Sequence, residues 1–429
     1  MTIGEDWLVL LPSEAQEVIE NGHGWGNLTC RLSGPDRAAL VVALSNEGSD
    51  RVPVITDPGH FLMSADFHPA GHWYSVTQEI VVVEYFLTRQ SGSLTFEEFK
   101  RIVPRALEPS PGKWSIAVTY CPEPPEIVDG QPLPAWSAWM VSESVVRPIA
   151  LDIHNGQELL SALDGYWPIR QLSQTRVLLL GAGSIGGAVA EALASYGVGQ
   201  IDAVDPDRFL FHNVPRHVLT TARVGMNKVD ALAQTIGANW PECGFVAWPI
   251  DLVVNADVVR PLLDAADIVI CTVDGVEPRR VANYLARRAG KPIVLACVLG
   301  DGRYGEILRI RPLPEVGCLE CQRRRLQEAG RIDLETTLDR GYGTGTRHNP
   351  MTAVGGDLHL IGQLAAKIAV ATLLRRQGEL DQTLVDDNLV IALRPAPEYP
   401  SPFNATRMLD QTWYPAGRPY DDCPACSPT

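Results

Sequence analysis

A chain of 429 residues, 45% of them apolar and 20% charged, is long enough for two domains that each bury a sizeable core. Its net charge of −15 leaves no general field for phosphodiester backbones, so nucleic acid is not expected as a partner. No uninterrupted apolar run reaches the roughly 18 residues that cross a bilayer, and the first residues lack a basic stretch followed by an apolar one. A cytoplasmic protein without membrane association is therefore expected.

Residues 1–145 mix short apolar runs, Leu8-Val-Leu, Val41-Val-Ala-Leu and Ile80-Val-Val-Val, with a helix predicted from Thr95 to Ala106. Prolines between 122 and 134 then break the pattern, which suggests a separate α+β domain followed by a linker. Asp66-Phe-His68-Pro69 followed by Ser75 has part of a zinc isopeptidase motif, but the first histidine and the trailing aspartate are missing. Recognition of a protein or peptide substrate is the expected role of this domain.

In residues 146–429 the pattern changes from Arg176 onward. Strands are predicted at 177–180, 200–204, 267–271 and 292–297, alternating with helices at 184–196, 226–237 and 277–289, and a long apolar helix is predicted at 352–375. This alternation predicts an α/β fold of Rossmann type, a doubly wound, mostly parallel sheet with helices on both faces. The first strand runs straight into Gly181-Ala-Gly183-Ser-Ile-Gly186, and Asp205 sits nineteen residues past the last glycine. Such a start aims backbone N–H groups at phosphate from a helix N-terminus and places an acid for ribose hydroxyls. On its own, the glycine loop also serves NAD and FAD enzymes.

Polar residues C-terminal to the loop narrow the chemistry. The segment Asp205-Pro-Asp207-Arg-Phe-Leu-Phe-His-Asn213-Val-Pro-Arg216-His217 leads to Lys228, and then to Asp274 after an apolar strand. Together these residues offer ligands for a triphosphate and its metal, which hydride transfer does not need. Nine cysteines are expected as thiols or metal ligands. Cys318-Leu-Glu-Cys321 and Cys423-Pro-Ala-Cys426 have the two-residue gap that lets paired sulfurs hold one tetrahedral zinc, here a structural staple tying the chain's end to its domain. Arg323, Arg324 and Arg325 read as a solvated charged face, while Arg279 and Arg280 are open between a surface role and a functional one.

In their order, the glycine loop, Asp205, Asp207, Asn213, Arg216, Lys228, Asp274 and the paired CxxC motifs resemble the ThiF/MoeB and ubiquitin-activating family of adenylating enzymes, over residues 165–429. The family segment reads approximately Asp-x-Asp-x-Val-x-x-x-Asn-Leu-x-Arg-Gln, so His217 stands where the family has glutamine. The resemblance implies use of ATP and magnesium to adenylate the C-terminal carboxylate of a ubiquitin-like or sulfur-carrier protein. Negative charge building on the phosphates would be met by Arg216 and Lys228. Asp274 would hold Mg2+, Asp205 the ribose, and Asn213 would contact the phosphates. A homodimer is also implied, with Arg170 as the arginine supplied to the partner's site.

The resemblance is incomplete in one respect. Many family members carry a thioester-forming cysteine before the last long helix, but 339–351 has none. Cys271 and Cys297 lie in apolar strands and are expected to be inert. Transfer would then go to the thiol of a separate conjugating enzyme, to a sulfur donor or to an amine. The alternatives are a peptide-modifying relative whose N-terminal domain clamps a peptide, a scaffold without catalysis, and an NAD-linked oxidoreductase.

Overall fold

The computed structural model describes residues 7–33, 37–54, 66–125, 133–153, 160–331, 353–376, 378, 382–395 and 398–427. The chain divides into two compact units, Met1–Gln157 and Glu158–Thr429.

The first unit contains β1 (Leu8–Leu11), α1 (Ser13–Glu20), β2 (Trp25–Ser33), β3 (Ala38–Asn46), β4 (Val52–Pro53), β5 (Asp66–Ser75), α2 (Ile80–Ser91), α3 (Phe96–Ile102), β6 (Trp114–Tyr120), β7 (Trp136–Ser142) and β8 (Val146–Ile153). The strands run β1-β8-β7-β6-β5-β2-β3-β4, and β1 also pairs with β3, so seven of them close into a ring. One face is filled by Val9, Leu28, Trp73, Ile116 and Met140 with Ala15 and Ile19 of α1. The other is covered by α2 and α3 through Val81, Val82, Phe96 and Phe99 packed around Trp139.

One expectation changes in this unit, the end of α3. The apolar run Ile80-Val-Val-Val opens a helix, with Val81 and Val82 packed into the core, and Tyr85 anchors it by donating its hydroxyl to the Ile149 carbonyl at 2.6 Å. Tertiary packing overrides the low helix propensity of valine. Helix α3 begins as predicted, with Thr95 and Glu98 in a capping box. It stops at Ile102, short of Ala106, since Pro104 disfavours helical geometry at Val103. Residues 66–75 form a strand paired with β2 and β6, while the side chains of Asp66, His68 and Pro69 lie outside the described residues.

The second unit contains α4 (Ile169–Leu172), β9 (Arg176–Leu180), α5 (Ser184–Ser195), β10 (Gln200–Val204), α6 (Lys228–Asn239), β11 (Gly244–Trp248), α7 (Ala256–Ala265), β12 (Ile268–Cys271), α8 (Val276–Arg288), β13 (Ile293–Leu299), β14 (Tyr304–Ile310), α9 (Leu319–Glu328), α10 (Gly355–Arg376), β15 (Asn388–Ala392) and β16 (Gln411–Tyr414). The sheet order is β11-β10-β9-β12-β13-β14-β15-β16. The five strands from β11 to β13 are parallel and the last three antiparallel. The sheet is thus mixed, with its parallel part the larger, as expected, and an antiparallel edge that was not anticipated.

Alternation along the central strands feeds two cores. Val177 and Leu179 face α5 and α10, whereas Leu178 and Leu180 face α7 and α8. Helix α10 is long and apolar enough to cross a membrane, yet 67% of its most apolar window is buried against α5, β13 and β14. Strand order reverses between β9 and β12, which opens a crevice at their C-terminal ends where such sheets take ligands.

Candidate nucleotide site and four-cysteine cluster

At the end of β9 the chain turns through Gly181, whose φ of +94° excludes most side chains. A Cβ at Gly186 would lie 2.0 Å from the Gly181 carbonyl oxygen, so only glycine lets α5 pack this closely on the loop. Gly183, at the N-cap of α5, faces open space. It leaves the first amides of the helix accessible to an anion.

Asp205, at the end of β10, holds this loop in place. One carboxylate oxygen accepts the Ala182 N–H at 2.7 Å and the other the Asp207 N–H at 2.8 Å. Burial pushes its carboxyl up, opposed by Lys228 and by the Ala182 amide. Each oxygen keeps a second lone pair for a ribose hydroxyl. Asp207 is solvent-exposed and accepts from Lys228 Nζ at 2.8 Å, and the same Nζ lies 3.9 Å from Asp205. The Lys228 side chain is itself almost fully buried, so its ammonium is held by an exposed carboxylate rather than by water.

Between these acids and α6 the chain makes a short 3-10 turn over Phe211–Arg216, closed by Asn213 accepting the Leu210 N–H at 2.8 Å. Arg216 is half-buried: burial pushes its guanidinium down, and Asp274 opposes the shift. Asp274 comes after β12 on the far side of the switch point, just before α8, and is open to solvent. Desolvation by the surrounding chain pushes its carboxyl up, opposed by the cations Lys228, Arg216 and Arg279. The structure thus gathers the glycine loop, Asp205, Asp207, Lys228, Arg216 and Asp274 around one crevice.

Sequence reading missed several residues. Thr272 donates its hydroxyl to the Gly181 carbonyl at 2.9 Å and fixes the loop from β12. His217 bonds the Ala182 carbonyl at 2.9 Å, and His359 of α10 bonds the Arg216 carbonyl at 3.0 Å. Only His217 carried a signal, its place in the Asn-x-x-Arg segment.

A second polar centre lies where the start of α9 meets residues 423–426. Cys318, Cys321, Cys423 and Cys426 are all buried, with their sulfurs within 4.8 Å of one another. The S···S separations of 3.9, 3.6 and 3.8 Å match the edge of about 3.8 Å for a tetrahedron with Zn–S bonds near 2.3 Å. Tyr420 N–H donates to Cys321 Sγ at 3.4 Å, an outer contact typical of thiolate sites. The four residues fit zinc.

Next to this cluster Glu306, fully buried on β14, accepts two bonds from Arg323 at 2.7 and 2.5 Å. Arg279 lies 3.7 Å away, and the Tyr414 hydroxyl donates to Glu306 at 3.5 Å. Arg323 and Arg279 are therefore buried partners of an acid rather than a solvated face or surface charges. Arg324 and Arg325 stack on Tyr420, and Arg280 pairs with Glu320 on the surface. Arg170 is exposed and pairs with Asp164 at 3.0 Å within the same chain. Cys271 is fully buried and pushed up to about 11, as expected of an inert thiol, while Cys297 is half-buried with its sulfur against Glu306. Residues 339–351 lie outside the described residues.

Comparison with known proteins matches the ThiF family over residues 157–392. The chain belongs to the ThiF family. Among curated members it is 32% identical over 130 residues to the adenylyltransferase and sulfurtransferase MOCS3 of Xenopus laevis, covering 30% of this chain and 28% of that protein. The sulfur carrier protein ThiS adenylyltransferase of Escherichia coli K12 is 27% identical over 161 residues, 37% of this chain and 61% of its own length. The ubiquitin-like modifier-activating enzyme 5 of Oryza sativa is 26% identical over 208 residues, 46% and 48% of the respective chains. The ThiF-family chain thus spans between 28% and 61% of the length of these relatives. Among solved structures, E. coli MccB with ATP is 18% identical with a TM-score of 0.44, covering 60% of this chain and 68% of that one. PaaA is 19% identical with a TM-score of 0.42, covering 54% and 73%.

Proposed function

We propose that this ThiF-family protein uses ATP to adenylate the C-terminal carboxylate of a ubiquitin-like or sulfur-carrier protein. The observation that carries this reading is the convergence of Lys228, Arg216 and Asp274 with an anion-accepting glycine loop across one switch point. The relatives named for adenylyl transfer and modifier activation support it.

In this reading the loop amides at Gly183 receive the phosphates, and Asp205 accepts a ribose hydroxyl with its free lone pairs. The acceptor carboxylate forms a bond to the α-phosphorus as the bond to the pyrophosphate oxygen breaks, giving an acyl-adenylate and pyrophosphate. Lys228, released from Asp207, and Arg216 neutralise the charge that moves onto the phosphate oxygens. No protein nucleophile is required, so positioning and fixed charge supply the rate. Asp274, a hard oxygen ligand at the crevice mouth, would hold Mg2+, which when bound shields the triphosphate charge. Cys318, Cys321, Cys423 and Cys426 would hold a structural Zn2+ that fastens the chain's end to α9.

The same chemistry serves the C-terminus of a short peptide held by the first unit, and a homodimer with exposed Arg170 reaching the partner's site belongs to the same proposal. ATP–pyrophosphate exchange with candidate carriers and peptides separates them. Exchange that requires a carrier and falls about 100- to 1,000-fold in both Arg216→Ala and Asp274→Ala, at unchanged thermal stability, supports the proposal. ATP binding without exchange for any carrier moves the substrate to a peptide, and absence of ATP binding sinks the reading.

A further inference from the structure

The loop peptide at Ala182 is held on both sides. Its N–H is taken by Asp205, and its carbonyl by His217 Nε2 at 2.9 Å. The other ring nitrogen, Nδ1, lies 3.1 Å from the Leu219 N–H. A backbone N–H can only donate, so Nδ1 is the bare acceptor and the proton sits on Nε2, which donates to Ala182. The ring is buried, packs edge-on to Phe209 at 5.2 Å, and fills the space above Gly187, where a Cβ would meet it at 2.9 Å. One neutral imidazole therefore ties the glycine loop to the chain immediately after Arg216. From the other side, His359 donates to the Arg216 carbonyl, fixing the same turn to α10.

We propose that His217 is a positioning residue: its Nε2–H tautomer clamps the Ala182 peptide to the Arg216 turn and so sets the distance between the phosphate-binding amides and the Arg216 guanidinium. This rests on the nucleotide role proposed for the crevice. The clamp needs one donor and one acceptor about an imidazole's width apart, a pair that a glutamine amide also offers.

The test uses the full chain with His217→Gln, which keeps both hydrogen-bonding functions, and His217→Phe, which keeps the ring and loses them. At matched thermal stability, the ATP dissociation constant and the KM for ATP in exchange should rise at least tenfold in H217F and stay within threefold in H217Q. Imidazole 15N spectra of the wild type at pH 6 should show a neutral ring with Nε2 protonated. Equal ATP affinity in wild type and H217F, equal impairment of H217Q and H217F, or a ring protonated on Nδ1 overturns the proposal. If H217F does not fold, H217Q and the spectra decide. A wild type that binds ATP without exchanging pyrophosphate counts against adenylation alone, since the ATP affinities still report the clamp, and no ATP binding overturns both.

Discussion

Two polar centres share the second unit and are built on opposite terms. In the crevice, charges are left partly uncommitted: Asp207 and Asp274 are open to solvent, and Lys228 is bound to a carboxylate that it can give up. In the four-cysteine corner, Glu306, Arg323 and four thiols are buried with their partners around them. A site that must exchange ligands keeps accessible partners, whereas a site that holds the fold together closes. Substitutions in the corner should therefore move stability first, and those in the crevice activity first.

The largest expected effect is removal of zinc. Structural zinc in small domains contributes on the order of 10 kcal/mol of apparent binding energy that appears as folding energy. Stripping the metal-loaded protein with a strong chelator should free residues 415–427 to proteolysis and lower Tm, and zinc alone should reverse both. Unchanged Tm with metal demonstrably absent would remove the distinction between a holding corner and an exchanging crevice.

Second is Glu306→Gln. It removes the carboxylate that accepts two bonds from Arg323 and faces Arg279, and breaking a buried ion pair at one partner costs about 3–5 kcal/mol. Urea unfolding should show the loss. A variant of wild-type stability would mean that these guanidinium groups reach water or another acceptor.

These two centres were not equally legible. The crevice residues could be placed from sequence because each sits at a strand end or helix start whose order along the chain is their order in the fold: Gly181 after β9, Asp205 after β10, Asp274 after β12. The cysteine pairs were legible from spacing. Glu306 and its arginines were not, since Arg323 within Arg-Arg-Arg has the composition of a surface, and only the antiparallel β14 brings Glu306 against α8 and α9. That strand was missed along with β15, β16, β11 and α7. Strand β11 has an apolar run, Phe245-Val-Ala-Trp248, that was passed over; it is short, follows Pro241 and Gly244, and none of its residues is fully buried. The 3-10 turn at Arg216 has no periodicity to read, which is why His217 went unassigned although it stood in the motif.

Acid should distinguish the centres more finely. Burial, with the positive charges of Lys228, His359 and Arg216 adding to it, pushes His217 down to about 4 from an ordinary 6.5. With the folded value depressed, the unfolded chain binds the proton first. The contribution of neutral His217 is complete above about pH 6.5 and is lost as pH falls from there through 4, by up to about 3 kcal/mol. Wild type minus H217Q, compared as unfolding free energies between pH 7 and 4, isolates this part. A difference independent of pH would mean that the ring titrates normally.

The smallest expected effect is also the most local, and it separates the two uses of glycine in one loop. At Gly186 an added methyl has no room, being 2.0 Å from the Gly181 oxygen, so Gly186→Ala forces α5 off the loop at a cost of about 1–3 kcal/mol. At Gly183 the φ of −76° suits any residue and the methyl enters open space. Gly183→Ala should therefore change stability by less than about 1 kcal/mol. In the proposed role a phosphate approaches the first amides of α5 through that open space, so the same methyl should weaken ATP binding at least as much as the Gly186 change does. Calorimetric ATP titration beside thermal unfolding reads both quantities. Full ATP affinity in a stable Gly183→Ala variant would place the phosphates away from the α5 N-terminus and turn the crevice toward Lys228 and Arg216 alone.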